Sequence, residues 1–397
     1  MSPRINSQNQ HQDNNSNPKP TRRETHSELT NGLLPTPNEL VKMLSEQVIG
    51  QDQAKRALAV SVYQHAINCA RADLHGGEVE AENHVLLAGP TGSGKSILLR
   101  RLAHILDLKV FFIPCTAITP DGYRGKNFGY YIDSIAKEIV HEGYTRPAIV
   151  VWDEVDKLAL HGNNQSEAAL YRRMVQMEFL TYLDGTRCGS EAELDSSRIL
   201  NVALGAFVGV ETLRDPSIKP VIGFQSRVAK SSGNLPELTP EHLIAYGLIP
   251  EFVGRFSRIS TLEPLDCAAL RRVLTEAKGS VLARRKSFFA LHQIRLEFSD
   301  DAIDELVIRA LAHDTGARAL RQVIDQALRI IEHRVPEMAQ GGVHTVVMDR
   351  SAVQGLTAPI EHKGDPLDLS ELIDIRRQAL GFEAKADDID ADDLCIF

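Results

Sequence analysis

The feature that most limits how this 397-residue chain can fold is the run Gly89-Pro90-Thr91-Gly92-Ser93-Gly94-Lys95-Ser96. It follows the apolar stretch Val85-Leu86-Leu87-Ala88 and precedes Ile97-Leu98-Leu99, which predicts a strand, a glycine-rich turn and a helix start. Every fixed position of the phosphate-cradling pattern G-x-x-x-x-G-K-[ST] is filled, in the structural context that pattern requires. Glycines let backbone N–H groups turn onto phosphate oxygens, and the helix N-terminus adds partial positive charge. Pro90, Thr91, Gly92, Ser93 and Gly94 are thus expected to wrap a nucleotide's phosphates. Lys95 would pair with the β/γ-phosphates and the Ser96 hydroxyl would ligate Mg²⁺. An ordinary βα turn needs one or two glycines, not a Lys-Ser pair directly after the third.

A second element answers the first. Ala148-Ile149-Val150-Val151-Trp152 reads as a buried strand, yet it ends in Asp153-Glu154. In phosphate-loop enzymes the first such carboxylate holds the metal and the second polarises the attacking water. Paired acids at a strand end also serve as plain solubilising loop residues; the loop at Lys95 favours the catalytic assignment of Asp153 and Glu154.

Composition sets outer bounds. At 43% apolar and 24% charged this is an ordinary globular composition, and its length implies two or three domains. No apolar run approaches the roughly 20 residues of a membrane helix, and the polar N-terminus lacks a signal-peptide core, so a cytoplasmic protein is expected. A net charge of −9 argues against broad affinity for nucleic acid. The five cysteines are scattered without a C-x-x-C pair, which supports neither zinc nor a disulfide framework.

Residues 1–33 are rich in Asn, Gln, Ser and Pro and predict a disordered polar tail. Residues 34–263 read as a doubly wound α/β domain with ligand at the strand C-termini. Its order begins at Thr36-Pro37, a helix cap followed by a proline suited to the first helical position. A long helix carries Ala54, Leu58, Val62 and Ala66 inward, and another carries Ile132, Ile135, Ala136, Ile139 and Val140. Further strands are expected at Val110–Ile113 and Ile199–Leu204. Residues 264–360 change to a mostly helical domain, with strand candidates at Gln293–Phe298 and Val343–Met348. One of its helices turns Leu320, Val323, Ile324, Ala327, Leu328 and Ile331 inward, with Arg318 and Arg321 at the border of that stripe. Residues 361–397 read as an acidic, mobile C-terminal tail with a short helical candidate near Leu369–Leu380.

Six strings occur in a fixed order: Val48-Ile49-Gly50-Gln51, the phosphate loop, Gly122-Tyr123-Arg124-Gly125, Val150–Lys157, Ile249–Arg255 and Asp314–Arg321. Over about residues 34–360 this resembles the ClpX-type AAA+ protein unfoldases, hexamers that feed the ClpP peptidase. The resemblance implies ATP and Mg²⁺ as cofactors, a homohexamer, a ClpP-type peptidase partner, and unfolded or tagged protein substrates. It implies that Val48 and Ile49 contact adenine, that Arg255 is an arginine finger reaching the next subunit's nucleotide, and that Arg318 senses the phosphates of its own subunit. For either arginine, a surface salt bridge is the simpler role when the residue is taken outside its string. Tyr123 matches the pore-loop aromatic that grips translocating polypeptide, and Ile222-Gly223-Phe224 matches the tripeptide that docks on ClpP.

The chain also departs from the family. A tail without cysteine stands where the family's N-terminal zinc domain lies. Thr186 to Ser197 is short and carries Glu191, Glu193 and Asp195 in place of a basic second pore loop. Arg124 replaces an uncharged residue beside Tyr123, so a ring of positive charge and a preference for acidic polypeptide are expected, unless Arg124 folds back onto Asp121. Besides an unfoldase feeding ClpP, the sequence allows a stand-alone remodelling chaperone or a nucleic-acid motor built on the same ATPase module. The acidic-then-apolar terminus Ala391–Phe397 faintly resembles the peptidase-activating end of HslU.

Overall fold

The structure is a computed structural model that describes residues 34–75, 77–120, 123–141, 148–160, 166–190, 193–215, 236–313 and 315–380. The expected tail at 1–33 and the Ile222-Gly223-Phe224 string lie outside the described residues, as do Asp121 and residues 381–397.

Order starts where the cap signal put it. Helix α1 (Pro37–Ser45) opens with Thr36, whose hydroxyl accepts from the Glu39 N–H while the Glu39 carboxylate accepts from the Thr36 N–H at 2.9 Å. This reciprocal pair satisfies two donors that a helix start otherwise leaves orphaned. Helix α2 (Asp52–His75) then crosses beneath a five-stranded parallel sheet of β1 (Val85–Ala88), β2 (Val110–Pro114), β3 (Ala148–Asp153), β4 (Ile199–Gly205) and β5 (Arg258–Thr261). The strand order is β2-β3-β4-β1-β5. Helices α3 (Lys95–Leu106), α4 (Phe128–His141) and α5 (Glu167–Leu183) complete the α/β layers.

Strands buried on both faces need no polar alternation, which is why they read as unbroken apolar runs. Their residues nonetheless divide between two cores with period two. Leu86, Val150 and Trp152 face one core, while Val85, Leu87, Ile149 and Val151 face the other. Trp152 is fully buried, stacked on Phe128 at 5.4 Å and edge-on to Phe179 at 4.6 Å. Its indole N–H donates to Asn201 Oδ1 on the neighbouring strand at 2.9 Å. This aromatic anchor fixes the strand end from which Asp153 and Glu154 emerge; such ring pairs add about 0.5–1.5 kcal/mol each beyond area burial.

The second unit packs α6 (Cys267–Thr275), α7 (Val281–Ala290), α8 (Asp300–Ala312) and α9 (Ala317–Glu332) around its own core, as the apolar stripes imply. A small sheet of order β6-β7-β8 covers it, with β6 (Arg295–Phe298) parallel and β8 (Ile360–Lys363) antiparallel to β7 (Val343–Met348). Here the expected boundary at residue 360 is corrected: β8 completes the small sheet, and α10 (Leu369–Leu380) packs on α7. Arg295 pairs with Glu371, and the Gly279 N–H donates to the Gln378 carbonyl at 2.8 Å. Residues 361–380 therefore belong to the small domain and not to a mobile tail. Val140, expected on the inner face of α4, is half exposed at that helix's last turn.

Two buried histidines make stability depend on pH. His65 Nε2 donates to the Arg198 carbonyl at 3.1 Å. His84 Nε2 donates to the Leu183 carbonyl, and its Nδ1 accepts from the Asn201 N–H, a site that protonation would destroy. Burial pushes His65 down to about 4 and lowers His84 as well. The unfolded chain takes up these protons near pH 6.5, whereas the folded chain does not, so stability falls as pH drops through that range. His65 alone is expected to cost about 1.4 kcal/mol at pH 5.5. Thermal unfolding at pH 7.5 and 5.5 checks this: His65→Gln should flatten the slope, and an unchanged slope would remove His65 as its source.

Candidate functional site

The two domains enclose a cavity of about 640 Å³ at the C-terminal end of the parallel sheet. Thr91 to Ser96, Asp153, Glu154, Val48, Ile49 and Arg318 all line it, so most of the residues singled out for nucleotide chemistry converge on one space. Pro90 does not line it, but its carbonyl accepts from Lys95 Nζ at 2.9 Å, as the Gly89 carbonyl also does. Burial pushes the Lys95 ammonium down to about 8, against the opposing pull of Asp153 and Asp156. An ammonium that, among the described residues, hydrogen-bonds to two carbonyls in a desolvated loop favours an incoming polyphosphate, which supplies further negative charge.

The phosphate loop is gripped from outside as well. The Gly92 carbonyl accepts from the Ala317 N–H at 3.2 Å, at the start of α9 in the small domain. A Cβ on Gly92 would lie 2.0 Å from the Thr315 carbonyl oxygen, and its φ of +79° disfavours any side chain, so only glycine permits this approach. On the other side Gln51 Nε2 donates to the Ser93 carbonyl at 3.0 Å and to the Glu263 carbonyl at 2.8 Å. Gln51 Oε1 accepts from the Glu263 N–H at 2.9 Å. One side-chain amide thus joins the phosphate loop to the segment leading into the small domain.

Around the carboxylates, Asp153 Oδ1 accepts from the Glu154 N–H at 2.9 Å. Glu154 sits in the left-handed region at φ +61°, a strained state costing on the order of 1–3 kcal/mol that turns its side chain off the strand axis. The Thr116 hydroxyl donates to Glu154 Oε2 at 2.9 Å. Asp156 is buried behind them and accepts from the Ala206 N–H at the end of β4.

Arg255 is placed differently. It does not line the cavity but forms a two-pronged ion pair with Asp184 just beyond α5, with Nη2 to Oδ2 at 2.9 Å. Tyr123 is exposed, its ring edge-on to Tyr171 at 5.6 Å, and Arg124 beside it is exposed too. A second, open cavity runs from Tyr123 and Tyr171 to Cys115 and Thr116.

Comparison with known proteins matches this sequence to a family. Residues 85–204 match the model for the ATPase family associated with various cellular activities (AAA), and residues 265–334 match that for the C-terminal, D2-small domain of ClpB protein. The ATP-dependent Clp protease ATP-binding subunit ClpX of Azotobacter vinelandii is 36% identical over 337 residues, covering 77% of this chain and 76% of its own. The chain belongs to the ClpX family. The ClpX 3 subunit of Methylococcus capsulatus is 33% identical over 83% of this chain and 82% of its own, and the ClpX of Borrelia duttonii is 32% identical over 81% and 79%. The α/β AAA+ architecture and ATPase activity follow from that membership. Among the described residues no helix is long and apolar enough to cross a membrane.

Within this ClpX-family site, sequence reasoning missed Thr116, Asp156 and Asp184. Each is an ordinary polar residue whose partner lies 38, 50 and 71 positions away. Gln51 was visible only as part of a motif, and nothing local to it signals the clasp it forms. The burial of three thiols pushes Cys69 up to about 12, Cys188 up to about 11 and Cys115 well above its ordinary value, which makes them poor nucleophiles.

Proposed function

We propose that this chain is an ATP-driven protein unfoldase and translocase that works as a homohexameric ring and delivers substrate to a ClpP-type peptidase. Val48 and Ile49 hold the base, the loop from Pro90 to Ser96 holds the phosphates, and Lys95 carries the positive charge that faces them. Ser96 and Asp153 supply a hydroxyl and a carboxylate, the hard oxygen donors that suit Mg²⁺. Bound there, the ion would neutralise charge on the β- and γ-phosphate oxygens. Glu154 orients the attacking water and takes its proton, while Arg318 approaches the phosphates from the small domain. Arg255 is turned away from its own cavity, as a finger serving a neighbouring subunit needs to be.

The observation that carries the reading is the short path from Glu154 to Tyr123. Thr116, which holds the Glu154 carboxylate, lies in the turn Cys115–Ala117; Ile118–Thr119 follows it and pairs with Lys126–Asn127, bracketing the exposed Tyr123. A change in the hold on Glu154 therefore has two residues to travel, from Thr116 to Ile118, before it reaches the first of the two strands that flank the aromatic. Tyr123 grips polypeptide in this reading, Arg124 biases the grip toward acidic segments, and Ile222, Gly223 and Phe224 fill apolar pockets on the peptidase.

Incubation with a ClpP-type peptidase, ATP and a folded, tagged substrate tests the proposal. ATP-dependent degradation is expected. Deleting residues 222–224 should abolish degradation while preserving ATPase and unfolding. Unfolding with no peptidase coupling in the intact protein would favour a stand-alone remodelling chaperone, and DNA-stimulated ATPase without unfolding would overturn the reading.

A further inference from the structure

We infer that Tyr171 is a positioning residue for the loop that grips polypeptide: from α5 it holds that loop at both neck and tip, and so braces Tyr123 while substrate is pulled. The inference rests on the reading of Tyr123 as the gripping residue.

Tyr171 lies in the second turn of α5, whose N-cap Ser166 accepts from the Ala169 N–H at 3.2 Å. On the face that carries it, Val175, Phe179 and Leu183 follow at four-residue steps, and all three are fully buried. Gln176, buried as well, donates through Nε2 to the Leu158 carbonyl at 2.8 Å and accepts through Oε1 from the Ile249 N–H at 2.9 Å. The helix is thereby fixed to the core and to the turn that precedes Arg255, and it can serve as a stationary support.

From that support one side chain reaches two points of the loop. The Tyr171 hydroxyl donates to the Ile118 carbonyl at 3.2 Å. Ile118–Thr119 is the strand that enters the loop, and Lys126–Asn127 is the strand that leaves it. The neck between them is tight. A Cβ on Gly125 would lie 2.5 Å from Thr119 Cγ2, and the φ of +147° disfavours a side chain in any case. At the tip, the rings of Tyr171 and Tyr123 meet edge-on at 5.6 Å, and the Tyr123 N–H donates to the Pro120 carbonyl at 3.2 Å. Phenylalanine at 171 would supply the ring without the donor, and serine the donor without the ring. A loop held only at its neck pivots when its tip is loaded; a support that touches neck and tip together opposes the pivot. Tyr171 lines the second cavity and not the nucleotide cavity, so its loss leaves the groups that hydrolyse ATP in place.

The test measures unfolding of a folded, tagged substrate and ATP hydrolysis together in wild type, Tyr171→Phe and Tyr171→Leu. Tyr171→Phe removes only the hydroxyl bond and should slow unfolding about 2- to 10-fold. Tyr171→Leu removes the ring contact too and should slow it by a further factor of about 2 to 10. Hydrolysis without substrate should stay near the wild-type rate, so more ATP is consumed per molecule unfolded. A merely structural role would lower hydrolysis and unfolding in proportion; that result would overturn the inference, as would unchanged unfolding in Tyr171→Leu. A second measurement follows the loop itself. Trp152 is the one tryptophan of the chain and is fully buried, so in Tyr123→Trp the added indole reports the surroundings of the loop tip. Its quenching by acrylamide should rise when Tyr171→Leu is added, and equal quenching with and without that change would also overturn the inference. Tyr123→Leu checks the reading beneath. Wild-type unfolding in that variant would overturn the grip of Tyr123 on polypeptide, whereas lost unfolding there beside unchanged unfolding in Tyr171→Leu would overturn the role of Tyr171 alone.

Discussion

Glu154→Gln is expected to bind ATP with near wild-type affinity while its steady-state hydrolysis falls by at least about 100-fold, the usual scale for losing a positioned general base. The substitution preserves the shape of the side chain, and its amide oxygen can still accept from the Thr116 hydroxyl that holds Glu154 Oε2 at 2.9 Å. What it loses is the ability to take a proton from water. The left-handed backbone at φ +61° is common to both side chains, so the variant should not relax the turn. Nucleotide titration together with phosphate release separates binding from chemistry. Lys95→Ala provides the contrast, since it removes charge that faces the bound phosphates and should raise the dissociation constant. Near-normal turnover in Glu154→Gln would end the assignment of Glu154 as the base.

The residues of this site divide by how their placement is encoded. The phosphate loop and the Asp153-Glu154 pair were legible because local geometry demands them: glycines at positive φ, a lysine and serine at a helix start, and acids where a buried strand emerges. Four of the five parallel strands were legible as apolar runs; β5, the sequence Arg258-Ile259-Ser260-Thr261 at the edge of the sheet and only partly buried, carries no such run and was not. Partners brought together by the fold were not legible. Asp184 meets Arg255 only because α5 ends beside the turn after Ile249–Val253, and Gln51 reaches Glu263 across 212 positions. The C-terminal region misled for a different reason. All four residues of β8 are exposed, so the strand carries no apolar period; backbone pairing with β7 defines it, and sequence periodicity cannot report that. The helix that follows was visible as a pattern near Leu369–Leu380. Its docking was not, because part of what ties it down is the ion pair with Arg295 and a backbone bond from Gly279.

Arg255→Ala is expected to lower hydrolysis by about 10³-fold or more, the scale on which a delivered arginine stabilises charge on a transferring phosphoryl group. In the single chain Arg255 does not line the Lys95 cavity; its guanidinium is oriented by both oxygens of Asp184 and its side chain remains 40% exposed, available to a neighbouring surface. Two controls separate a finger from a structural salt bridge. Asp184→Asn breaks the charge pair but leaves the guanidinium in place, so it should cost far less activity than Arg255→Ala if the arginine acts on nucleotide. Equal losses in the two variants would mean that the ion pair itself is what matters. The second control mixes Arg255→Ala with Glu154→Gln. A site shared between subunits can then take its arginine from a Glu154→Gln chain and its carboxylate from an Arg255→Ala chain, so mixed rings should hydrolyse ATP faster than the weighted sum of the parents. A site contained in one subunit can never be restored this way, because each chain in the mixture lacks one of the two groups. Mixtures that follow the weighted sum at every ratio, under conditions where subunits exchange, would therefore make Arg255 a structural partner of Asp184.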